Sequence, residues 1–290
     1  MKKMATELGA SVVLALTLAA CGGAVQSGIA VGRVGHGLSA QARSAPQGAE
    51  VCAMQESLAA LPGSEKTFTD ACGKAARSDL VWRRSMGVLA AYGQTLETLA
   101  SGSGGDNAGR VEGALAGLET GDMPADGAAE QAARDASTAL VQQMSDASAG
   151  GNLGRAIQNA APHVKAICDG LVPYLETTAK GFADVQKEAE KKRASHADRR
   201  CGSVSGTNVC VGESPIDRMV YGEVFAKGAL LESTHLETRD AVAGFCAAHK
   251  KAETAAANGD LGKDKTYADI VDAVKSVQRA PAAAAKPAKK

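Results

Sequence analysis

The sequence predicts an all-α protein: an elongated helical bundle built around a long antiparallel helical hairpin and stapled by disulfides. Three observations lead there. After residue 49, apolar residues recur at three- and four-residue spacing almost without interruption. The composition is built from small side chains, 59 Ala and 33 Gly against one Trp, four Tyr and four Phe. That balance argues against a β-sandwich or an aromatic-lined barrel. Six of the seven cysteines fall at mirrored distances about two turns, as an antiparallel hairpin requires. The charge is balanced, with 32 basic and 32 acidic residues. A neutral chain has no general electrostatic reason to bind nucleic acid, and 45% hydrophobic content argues against disorder throughout.

The elements follow in order. Residues 21–49 are rich in Gly, Ser, Ala and Gln, and read as a flexible tether spanning about 30 Å as a random coil. Residues 50–279 read as the helical bundle domain. Val51, Met54, Leu58 and Leu61 mark its first helix, which Pro62 and Gly63 end. A longer helix runs to about residue 101 with Trp82, Leu89 and Leu96 on one seam, and Gly87 and Gly93 beside it offer a close approach to a neighbour. A short helix carries Val111, Leu115 and Leu118. An Ala-heavy helix over about 127–148 carries Leu140 and Met144. From Leu153 to Arg200 the pattern is helical throughout, and Pro162 and Pro173 within it predict kinks or restarts. Residues 201–214 carry turn chemistry. Ser214, Pro215 and Asp217 then form a helix start, with Ser as cap, Pro in the first turn and an acid near the positive helix end. That helix runs to about 257, where Asn258 and Gly259 end it. A last helix carries Tyr267, Ile270, Val271, Val274 and Val277, and residues 280–290 form an Ala/Pro/Lys tail expected to be disordered. No alternating run demands a strand.

The N-terminus carries an address. Lys2 and Lys3 precede an apolar run, Ser11 to Ala20, too short to span a bilayer and suited to the core of a secretory signal. The run ends Leu18-Ala19-Ala20-Cys21. This resembles the lipobox of bacterial lipoproteins, with residues 1–20 as signal peptide. The resemblance covers only these first residues. It implies that Cys21 is diacylated and becomes the first mature residue, anchoring the body to the membrane. In proteobacterial lipoproteins an Asp at the second mature position is associated with inner-membrane retention. Gly22 stands there, which implies outer-membrane sorting, facing the periplasm or the cell surface.

With Cys21 set aside, Cys52, Cys72, Cys168, Cys201, Cys210 and Cys246 remain. An exported chain with an even set of cysteines is expected to form disulfides. Cys52 and Cys72 each lie ten residues from Pro62, and Cys201 and Cys210 bracket the 202–209 turn. Cys168 lies 33 residues before Cys201, and Cys246 lies 36 after Cys210. Arms of nearly equal length predict three bridges: Cys52–Cys72, Cys168–Cys246 and Cys201–Cys210.

Motifs for chemistry are sparse. His235 and His249 share a stripe with Leu231, Val242 and Phe245, and are the candidates for a metal or ligand site in the seam. Without an HExxH, a paired CxxC, a P-loop or a GxSxG, the plainer expectation is histidines hydrogen-bonded within the bundle and no cofactor. The leading expectation is a lipid-anchored cell-envelope protein, not an enzyme, that scaffolds or binds a partner through helix faces. An envelope protein or peptidoglycan is the candidate partner. The rivals are a helical-bundle binding protein for a small ligand or metal, and an envelope enzyme without a recognisable motif.

Overall fold

The computed structural model describes residues 23–42, 45–59, 69–101, 126–150, 152–199, 201–204, 207–210 and 215–279. Among them seven helices pack together. They are α1 (Gly23–Gln41), α2 (Gly48–Ala59), α3 (Thr69–Ser101), α4 (Ala128–Gly150), α5 (Leu153–Arg199), α6 (Pro215–Ala257) and α7 (Asp264–Arg279). A two-stranded antiparallel ribbon, β1 (Cys201–Val204) and β2 (Thr207–Cys210), joins α5 to α6. The ribbon stands where turn chemistry alone was expected. Strands of four residues are too short to show a period against a background of Gly, Ser and Asn. The predicted signal peptide, the helix around 111–118 and the 280–290 tail lie outside the described residues.

The long hairpin is α5 against α6. Cys168 bridges Cys246, the Phe182 ring meets His235 and Gln186 bonds Glu232, so the two helices run antiparallel. At 1.5 Å per residue, α5 is about 70 Å long. It continues through Pro162 and Pro173 as one helix, so neither marks a restart. Both prolines face solvent, as do Gln158 and Asp169. Water can therefore satisfy the carbonyls that each proline deprives of a partner.

The expectation of a flexible tether over 21–49 is corrected. Residues 23–41 form α1, with Ala30, Val31 and Leu38 buried in the main core. The glycines that suggested flexibility instead permit contact. A Cβ on Gly32 would stand 2.7 Å from the Gly93 carbonyl oxygen and 2.8 Å from the Glu97 nitrogen. One on Gly35 would stand 2.8 Å from the Gly93 Cα and 2.9 Å from the Phe245 ring. Backbone therefore lies on backbone where α1 crosses α3. Of Gly87 and Gly93, the two glycines expected to permit such an approach, Gly93 is the partner of α1.

The apolar interior has two parts. The larger runs from the α4 and α7 end to Leu175 on α5 and Val242 on α6. The smaller gathers Met54, Leu58, Phe182, Val185, Ala189, Tyr221, Val224 and Leu231 around α2. Between them lies a layer of buried polar groups: Asp79, Thr178, His235 and Thr238. Alongside, α4 runs parallel to α3, with Ser78 bonded to Glu130, Ser85 to Ser137 and Thr95 to Met144.

Two of the predicted bridges are present. Cys52–Cys72 and Cys168–Cys246 have Cα separations of 5.3 Å and 6.2 Å. Cys201 and Cys210 are direct partners in the ribbon register, but their side chains lie outside what is described.

The glycine contact gives a prediction with an unusual sign. Intrinsic helix propensity favours Ala over Gly by about 1 kcal/mol. At Gly32 the backbone contact should reverse this, with Gly32→Ala destabilising by about 1–3 kcal/mol through overpacking. At Gly222, where a Cβ meets nothing within 4 Å, Gly222→Ala should stabilise by up to about 1 kcal/mol. Urea unfolding of the two variants beside the wild type checks both signs.

Candidate functional site

The best-defined polar constellation lies between the two apolar clusters and closes around the connector from α1 to α2. Asp79, on α3, is 4% exposed. Its carboxylate accepts the backbone N–H groups of Gly48 at 2.6 Å and Ala49 at 2.8 Å. These are first-turn donors of α2, which no intrahelical carbonyl can satisfy. The cap is thus supplied by another helix, and the negative charge sits at the positive end of the α2 dipole. The Tyr174 hydroxyl, from α5, donates to the same carboxylate at 2.6 Å. Burial, then the Asp79 charge, pushes the Tyr174 phenol well above its usual range, so it stays a donor. The Tyr174 ring stacks on Trp82 with centroids 5.5 Å apart.

Two further side chains clamp the same connector. Arg83 Nη2 donates to the Pro46 carbonyl at 3.0 Å. His235 Nε2 accepts the Gln47 N–H at 3.0 Å, and its Nδ1 lies 2.8 Å from the Leu231 carbonyl. An N–H can only donate and a carbonyl can only accept. His235 therefore carries its proton on Nδ1 and is neutral. Burial lowers its pKa, more than the Leu231 carbonyl and the Asp79 charge offset.

His249 occupies the larger cluster. It shares a 2.9 Å hydrogen bond between Nε2 and the Tyr92 hydroxyl and packs beside Phe245. Desolvation by burial lowers its pKa to about 4. Burial, with Glu253 adding to it, raises the Tyr92 phenol well above 10. Both partners are neutral at physiological pH.

These placements answer what the seam histidines do. Fourteen residues on one helix separate them by about 21 Å along its axis, so they do not converge on one ion. Both His235 nitrogens and Nε2 of His249 already have protein partners. Among the described residues, metal-type ligand atoms gather in a group of three at Cys52, Glu56 and Cys72, within 4.8 Å of one another. Two of them are joined in a disulfide, and a bridged sulfur is not the thiolate a metal requires. An open groove of roughly 500 Å³, lined by Glu190, Arg193, Ala194 and Phe225, lies beyond the smaller cluster and holds none of these groups. Cys21 lies outside the described residues, two positions before α1 begins. No family, no curated protein and no solved structure matches the chain.

Sequence reasoning missed the Asp79, Tyr174, Arg83 and connector assembly. Its members come from three helices and a loop, and no spacing links them. One signal was available. Asp79 interrupts an otherwise apolar stripe three residues before Trp82, where a lone carboxylate needs a donor set.

The junction predicts that Asp79→Ala strips α2 of its cap and leaves the Tyr174 hydroxyl without its acceptor. A loss of about 2–4 kcal/mol is expected by denaturant unfolding. Tyr174→Phe should lose less, because the two backbone donors remain.

The histidines predict a pH dependence. The unfolded chain takes up a proton on each imidazole near pH 6.5, and the folded chain resists. Stability from the neutral rings is complete above that pH and is withdrawn as pH falls, for His249 down to about 4. The expected loss from His249 across that window is about 3 kcal/mol. Unfolding midpoints from pH 7.5 to 4 should fall accordingly, and His249→Gln should flatten the part due to His249.

Proposed function

We propose that this chain is a lipid-anchored protein of the bacterial cell envelope, exported by residues 1–20 and held by lipid on Cys21. Its body serves as a non-catalytic scaffold or partner-binding rod. The observation that carries the non-catalytic part is the filled seam. Asp79, Arg83, Tyr174 and His235 are engaged in holding helices and the α1–α2 connector together, and His249 is bonded to Tyr92. The histidines that could have served a ligand are neutral, bonded and about 21 Å apart. What supports the envelope part is the lipobox-like Leu18-Ala19-Ala20-Cys21 together with two disulfides, which belong to oxidising compartments. No described helix is long and apolar enough to cross a membrane, so attachment in this reading rests on Cys21. The α5 and α6 surfaces are where a protein or peptidoglycan partner would bind, and Gly22 points to the outer membrane.

The test is the intact mass of protein extracted from membranes. The expected species lacks residues 1–20, carries a diacylglyceryl group and further acyl mass on Cys21, and has three disulfides, Cys201–Cys210 included. A Cys21→Ser chain should lose the lipid mass and leave the membrane fraction. An unprocessed or unlipidated wild type would overturn the anchor. A stoichiometric metal in untagged protein would overturn the scaffold in favour of the metal-binding rival.

A further inference from the structure

The two ends of the bundle differ in how near they lie to Cys21. The start of α1 is fixed at one pole. Ser27 Oγ donates to the Leu261 carbonyl at 3.0 Å. A Cβ on Gly28 would stand 2.7 Å from Ala100 and from Leu153, and one on Gly262 would stand 3.8 Å from the Ala24 nitrogen. The pole is thus made by the start of α1, the end of α3, the start of α5 and the 258–263 turn between α6 and α7. The ribbon β1–β2 is at the other end of α5, about 70 Å away.

Only Gly22 separates Cys21 from Gly23. Two Cα steps reach at most about 7 Å. Because α1 is locked into the core by Ala30, Val31 and Leu38, its first residue, Gly23, is held at this pole. We propose that this pole rests against the lipid surface, so that the hairpin stands off the membrane and carries the ribbon roughly 70 Å out. This orientation rests on the lipidated Cys21 reading above.

The chemistry of the pole suits a headgroup layer without demanding an anionic one. Val25 is 36% exposed in the first turn of α1. Arg155, Lys263 and Lys265 are exposed nearby, while Lys263 pairs with Asp260 at 2.6 Å and Asp264 is adjacent. Cations and acids nearly balance, so the contact is set by the short covalent connection and not by charge. It should therefore survive high salt, where screening removes surface attraction.

The native lysines report the orientation without substitution. The lipidated protein is reconstituted into neutral phosphatidylcholine vesicles and exposed to a membrane-impermeant amine reagent, with modification of each lysine read by peptide mass spectrometry. The comparison is the Cys21→Ser chain in solution. Lys263 and Lys265 are expected to lose labelling several-fold on the vesicles, at low and high salt alike. Lys187 and Lys191, far along α5, should label equally in both. Uniform labelling of all four would overturn the proposal. So would protection of Lys187 and Lys191 to the same degree as the pole, which would mean that the rod lies flat. Intact mass separates the two readings: lipidated protein with a uniform footprint sinks the orientation alone, whereas an unlipidated Cys21 removes both.

Discussion

Asp79 sits where the two apolar clusters meet, almost closed to solvent, and its charge is tolerable there only because three donors converge on it. Two are backbone N–H groups at the start of α2 and one is the Tyr174 hydroxyl. A buried carboxylate with this donor set is stable as an anion, whereas the same group without it would cost several kcal/mol. The position of α2 follows from it. That helix carries Val51 to Gly181 and Glu50 to Lys227, so it covers the lower half of the hairpin. The smaller cluster exists because the carboxylate on α3 sets where α2 starts. His235 and Arg83 act on the same connector from other sides, and between them they leave the chain from α1 to α2 little choice of path.

A second constraint is the scarcity of large side chains. An Ala-rich helix buries little apolar area per residue, so each helix contributes modestly unless neighbours come close. The molecule answers this in two ways. Gly32 and Gly35 against Gly93 bring α1 onto the α3 backbone, which multiplies weak dispersion contacts. The Cys168–Cys246 bridge, closing a separation of 78 residues, restricts the unfolded chain more than the Cys52–Cys72 bridge, whose separation is 20. The few bulky residues are concentrated where helices meet: Trp82 on Tyr174, Phe182 on His235 and Tyr92 on His249.

Much of this architecture was legible in the sequence because it is local or periodic. Helix boundaries near 153, 200, 215 and 257 follow from caps, breaks and apolar spacing. Two disulfide pairings follow from equal arm lengths. The histidines were readable as bundle residues from their place in an apolar stripe. Other features were not legible, for identifiable reasons. A Gly-rich stretch has the same composition whether it is a linker or a helix in backbone contact, and only a partner such as Gly93 decides between them. Proline warned of restarts in α5, yet both prolines fall on the solvent side, where the lost bond is replaced by water. The Asp79 assembly joins residues up to 188 positions apart, counting Gln47 to His235, and no one-dimensional pattern encodes such a meeting.

The glycine-rich character of α1 has a consequence for the order of assembly. Helix nucleation is costly and most helical stability in a protein comes from tertiary packing, and this helix is further burdened with Gly28, Gly32, Gly35 and Gly37. It gains its stability from α3 and from Phe245 near the far end of the sequence, so it has little reason to form before those partners exist. In a chain that emerges N-terminus first, α1 would wait, extended and threadable, while α3 and then the α5–α6 hairpin took shape. The first segment to appear would be among the last to settle, closing the bundle like a clasp.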